Sequence, residues 1–157
     1  MIGIFGNTEY TNALATRLVV RSLLPRNHGG VDGGNVIVID ADNSSSPYLY
    51  VDNARRYGMH YRNVLRKVLV CRQFTIYQLA NTIIYDLPKR IQLHKPKVVV
   101  VSGLLDQFYN DPYIRIAEAE SLITQIVSAL HKIKDVFIIF TSRLIDSQIV
   151  IPALTVR

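Results

Sequence analysis

NVIVIDADNSSSPYLYVDNARRYG, residues 35–58, carries the pattern that decides the fold class. Val36, Ile37, Val38 and Ile39 form an unbroken β-branched run. Such a run suits a strand covered on both faces, as in a parallel sheet, because a strand with one wet face alternates instead. Asp40 and Asp42 end the run with charge, and Asn43 to Ser46 supply turn chemistry. Pro47 is preorganised for the first helical position and Gly58 is suited to ending the helix, so the spacing predicts a helix over 47–57.

The same strand–turn–helix unit repeats outward from this stretch. Strand-like runs occur at 2–5, 98–101 and 136–140, with a weaker one at 68–71. Leu14, Leu18 and Val19 share a face of a helix over 11–24, ended by Pro25 and the pair Gly29 and Gly30. A further helix is predicted over 75–87, stopping before Pro88. Another covers 116–131, where Ile116, Ala119, Leu122, Ile123, Ile126 and Leu130 lie on one side. Alternation of this kind predicts a single α/β domain over 1–157, three-layered, with a mostly parallel sheet. Residues 26–34 (RNHGGVDGG) read as a long flexible connection. The apolar segment 148–156 (QIVIPALTV) is expected to add a strand at an exposed sheet edge, either to its own sheet or to that of a neighbouring chain.

Composition narrows the function classes. Of 157 residues, 49% are hydrophobic and 19% charged, which excludes a disordered chain. Cys71 is the one cysteine, so no internal disulfide forms and a reducing compartment is expected. No run approaches the roughly 20 apolar residues of a bilayer span. No basic leader precedes a long apolar segment at the start. These features point to the cytoplasm and away from a membrane partner. Residues 51–97 hold ten Lys and Arg against Asp52 and Asp86, a net of +8, while 1–50 and 98–157 each carry −1. Concentrated positive charge attracts phosphate backbones or an acidic protein; the competing reading is a solvated face. His28, His60, His94 and His131 lack metal-ligand spacing, and Asp40 with Asp42 alone does not hold a metal, so no metal is expected. No G-x-S-x-G or Cys/His arrangement appears.

The strand at 2–5 runs into Gly6 and a helix, the context of a phosphate-binding loop. Four further segments follow in order. They are LPRNHGGVDGGNVIVIDADNSSSP at 24–47, RYGMHYRNVLRKVLVCRQF at 56–74, VVVVSGLL at 98–105 and FIIFTSR at 137–143. Together, across residues 2–143, they resemble the ATPase core of the RecA/RadA recombinase family. The resemblance implies a RecA-like P-loop NTPase core, trimmed at both ends. In that alignment Thr11 stands where the family has its Walker A lysine, and Asn12 where it has the Mg²⁺-binding hydroxyl. The second loop glycine is missing and Glu9 adds negative charge. Asp42 matches the glutamate that positions the attacking water, Ser102 replaces the Walker B aspartate, and Ser142 and Arg143 replace Asn-Gln at the sensor strand.

Phosphoryl transfer rests on positioning and charge neutralisation, much of it from the lysine and Mg²⁺. The resemblance therefore implies a degenerate loop (Gly6, Thr11, Asn12, Asp42, Ser102), no bound cofactor and no enzymatic activity. Binding surfaces are then what remains. Arg55, Arg56, Arg62, Arg66 and Lys67 point to DNA. So does Arg115, in the segment 106–115 that corresponds to the family's first DNA-binding loop, with Tyr109 and Tyr113 as stacking residues. Arg72, Gln73 and Phe74 correspond to the strand end beside the pocket for a neighbour's Phe-x-x-Ala peptide, and Phe74 reads equally as core. The expected function is a non-catalytic recombinase paralogue that binds DNA or a recombinase partner in recombinational repair. The alternative is a protein–protein adaptor with no nucleic-acid role.

Overall fold

A computed structural model describes residues 1–144; the segment 148–156 lies outside them. Five strands form one sheet: β1 (Ile2–Gly6), β2 (Val36–Asp40), β3 (Val68–Arg72), β4 (Val98–Ser102) and β5 (Phe137–Arg143). Their order is β1-β5-β4-β2-β3 and every pairing is parallel, as the continuous apolar runs predict. β2 and β4 are buried at all five positions. β1 and β3 form the edges, where Ile2, Phe5 and Val70 are exposed.

Alternate residues of each strand feed two cores. On one face Ile37, Ile39, Val99, Val101, Ile138 and Phe140 pack against α4 (Ile76–Asn81), α5 (Leu87–His94), α6 (Asp106–Asn110) and α7 (Ile116–Lys132). On the other, Val36, Val38, Val98 and Val100 pack against α1 (Thr8–Ser22), α2 (Pro47–Arg56) and α3 (Tyr61–Lys67). The three layers follow from this division.

Local signals account for most helix ends. Asn7 caps α1, its side chain accepting from Glu9 N at 2.9 Å. Pro47 opens α2, and Gly58 closes it at φ +65° while Met59 N reaches back to Ala54 O at 2.8 Å. That left-handed residue with its long return bond satisfies carbonyls a helix end otherwise leaves bare.

Two expectations are corrected, and one helix lies where none was expected. The helix expected to stop before Pro88 continues: a π-helical turn, Thr82–Asp86, joins α4 to α5, and its wider winding directly before Pro88 accommodates a residue that has no N–H to give. The connection at 26–34 is folded rather than loose. It contains a 3₁₀ turn at Arg26–His28, an Arg26–Asp32 ion pair at 2.7 Å and backbone bonds from Gly30 N to Pro25 O and Val31 N to Ser22 O. The segment 61–67, without apolar periodicity, is helical because it lies across the sheet and seats Val64 in the core.

Ile39 is fully buried in the central strand β2. Ile39→Ala is expected to remove about 2–5 kcal/mol of stability, read as a lowered midpoint in urea unfolding.

Candidate functional site

The carboxyl ends of β2, β3, β4 and β5 surround a cavity of about 320 Å³, lined among others by Thr8, Asp42, Phe74, Asp106, Gln107 and Arg143. In an open parallel sheet, ligands bind at this end of the strands. Its base is a network around Asp40, whose side chain is fully buried. Ser44 N and Ser45 N donate to the carboxylate at 3.0 and 3.3 Å, Arg72 Nε at 3.1 Å and Ser102 Oγ at 3.4 Å. Strand register makes this possible, since Asp40 lies level with Arg72 on β3 and with Ser102 on β4.

Asp42 stands one turn further out, accepting from Ser44 N at 3.2 Å and from the Ser44 hydroxyl. Burial pushes its carboxyl above the ordinary carboxylate range; the Ser44 bonds oppose this and the nearby Asp40 adds to it. Gly103, at φ +65°, lets β4 turn directly beneath it: a Cβ there would come within 2.3 Å of Asp42 Cβ. Opposite, Asp106 accepts from Arg143 N at 3.1 Å and Ser142 Oγ at 3.4 Å. Arg143 Nε lies 3.3 Å from the other Asp106 oxygen, an ion contact without hydrogen-bond alignment, and its outer nitrogen donates to Asn110 at 2.8 Å. Gln107 Nε2 ties the two sides together, donating to Ala41 O and Gln73 O at 2.9 and 2.7 Å.

The loop residues face inward. Thr11 is buried and its hydroxyl donates to Thr8 O at 3.1 Å. Asn12 Nδ2 donates to Ser44 O at 3.1 Å, joining α1 to the turn after β2. Among the described residues, Arg143 is the one cation lining the cavity, and it is committed to Asp106.

A family model described as Rad51 matches residues 2–152, nearly the whole length. The chain belongs to the Rad51 family. This membership places the Rad51-family chain among the recombinases of DNA repair, and agrees with the sheet and layers described above. No curated protein sequence matches it.

The expected binding residues fall into three places. Arg55, Arg56, Arg62 and Arg66 are exposed on neighbouring helices α2 and α3 and do not line the cavity. Lys67 is half-buried and donates to Gly33 O at 2.9 Å, so it serves the fold. Arg115 is exposed on the opposite helical layer, at the start of α7, and does not join the other cations. Tyr113 is exposed, whereas Tyr109 packs against the core and shares in burial. Of the expected partner-binding residues, Gln73 is buried, accepting from Thr82 Oγ1 at 3.2 Å, and Arg72 is held by Asp40 and by Ser45 O. Phe74 is 68% exposed and is not core. Among the described residues, no group of His, Cys, Asp or Glu has the arrangement of a metal site, and no helix is long and apolar enough to cross a membrane.

The part sequence reading missed is the role of Asp40. An Asp ending a buried strand, with an Arg ending the adjacent one, is the available signal, but it requires the strand order.

A carboxyl whose native pKa is raised contributes stability below its unfolded pKa and loses that contribution as pH rises through the native value. Asp42→Asn is therefore expected to raise the thermal midpoint near neutral pH. The gain should vanish below the ordinary carboxylate range, where the native Asp is already protonated. Melting curves across pH check both halves.

Proposed function

We propose that this Rad51-family chain acts in recombinational repair as a non-catalytic paralogue, binding DNA or a recombinase partner without hydrolysing nucleotide. The observation that carries the reading is the charge of the cavity. Among the described residues, Asp42, Asp106 and Arg143 are the ionisable groups lining it, and the guanidinium already neutralises Asp106. A triphosphate carries several negative charges and needs a lysine, a metal or free backbone donors to offset them. Thr11 and Asn12, where the family alignment expects the lysine and the metal-binding hydroxyl, are turned to internal partners. The exposed arginines where α2 ends and α3 runs, Arg55, Arg56, Arg62 and Arg66, do not line the cavity and are open to an anionic partner.

A second reading is favoured by a separate observation. Among the described residues β3 is an edge strand with Val70 exposed, and Phe74 just beyond it is exposed too. An open edge with adjacent apolar groups accepts an added strand from another chain. An adaptor needs no nucleic acid.

Phosphate release from ATP with Mg²⁺, with and without single-stranded DNA, is expected to stay at the buffer level. Turnover that disappears in Asp42→Asn would overturn the non-catalytic reading. Retention of the protein on immobilised DNA or on an active recombinase supports the paralogue. Retention on neither leaves the adaptor.

A further inference from the structure

The corner where α2 ends and α3 begins carries an arrangement that the family's nucleotide cavity does not explain. His60 and Tyr61 stack with ring centroids 5.2 Å apart and planes 13° from parallel. Arg62 folds over the Tyr61 ring, 5.9 Å from its centroid, and its Nε donates to the phenolic oxygen at 3.3 Å. All three residues are exposed. His60 occupies the N-cap position of α3 but makes no capping bond, so its ring serves no local backbone need.

Charge surrounds this stack. Arg55 and Arg56 are exposed at the end of α2 and Arg66 on α3, and Arg17 of α1 reaches the end of α2, its Nε donating to Tyr57 OH at 3.0 Å. Asp52 is the one acid between residues 47 and 67, and it is engaged at 3.7 Å by Arg55. Helix dipoles favour cations in a last turn, which accounts for Arg55, Arg56 and Arg66 on energetic grounds. The dipole does not account for Arg17 or Arg62, nor for two aromatic rings left stacked in solvent.

Exposed parallel rings flanked by guanidinium groups are the chemistry that takes unpaired nucleobases, each base adding to the stack while the cations follow the phosphates. An acidic protein would use the charge but not the rings. A duplex would use the charge but keeps its bases stacked on one another. Resting on the reading of the chain as a DNA-handling paralogue, we propose that the His60–Tyr61–Arg62 corner is a contact site for single-stranded nucleic acid.

The test uses fluorescence anisotropy with a labelled oligo(dT) single strand and a labelled duplex of equal length, at two salt concentrations. The intact protein is expected to prefer the single strand. The double variant His60→Ala, Tyr61→Ala should weaken single-strand binding about tenfold or more, with the duplex affinity little changed. Arg62→Ala with Arg66→Ala should make the logarithmic salt dependence shallower by about 0.7 per cation removed. Lys132→Ala, exposed at the end of α7 on the opposite layer, should leave both unchanged. Circular dichroism melting of each variant separates lost contact from lost fold. Single-strand binding that ignores the ring substitutions in folded protein would overturn the corner as the site while leaving the DNA-binding reading in place. Absence of binding at low salt would overturn the corner too, and leave the paralogue reading to its recombinase arm.

Discussion

A carboxylate with no exposure to water has to be met on every side, and Asp40 is the group around which this molecule is arranged. Leaving such a charge unpaired costs several kcal/mol. Here two backbone amides, a guanidinium and a serine hydroxyl converge on it from the turn after β2, from β3 and from β4. The pairing register of three strands is thereby pinned at one level. The turn it holds also positions Ser45 against Tyr50 at 2.8 Å and so sets where α2 leaves the sheet. Arg72 remains 43% exposed while its partner is sealed, so the pair is anchored in the interior and reaches the surface only through the guanidinium.

The cavity above this network inherits its character from it. Ser44 serves Asp40 through its amide and Asp42 through its hydroxyl, and its carbonyl receives Asn12. Two positions that the RecA/RadA resemblance associates with nucleotide chemistry, Asn12 and Asp42, are therefore linked to Asp40 through one serine in a turn. Across the cavity, Arg143 and Asp106 satisfy one another. What distinguishes the site is less a shortage of polar groups than their mutual engagement, which leaves few directed outward.

Much of the fold was legible in the residues because the strands are covered on both faces and their apolar runs are unbroken. VVVV at 98–101 and VIVI at 36–39 allow no second reading once Gly, Pro and Asp punctuate their ends. Pro88 misled for a physical reason: the π-helical turn before it winds widely enough to accommodate a residue without an N–H, and keeps the two helices continuous. Segment 61–67 was illegible because one buried residue, Val64, produces no periodicity. The site was legible as chemistry but not as contacts. The pairing of Asp40 with Arg72 depends on β3 lying beside β2, and the separation of Arg115 from the other cations depends on which layer α7 occupies. The His60–Tyr61 stack depends on rotamers that no spacing encodes.

The strand order also bears on how the chain is made. Of the described strands β1 is made before the others, yet among the described residues its one partner in the sheet is β5, with Ile2 level with Ile139. Some 137 residues separate the two ends of that pairing, by difference of their numbers, and closing so long a loop is slow relative to local helix formation. The nascent chain can assemble β2, β3 and β4 with their helices while β1 still waits unpaired on the ribosome. Residues such as Ile4 and Phe5 are then held open for most of synthesis, the period in which an unpaired strand is most exposed to aggregation or to chaperone capture. Among the described strands, the first made is thus the last to be secured.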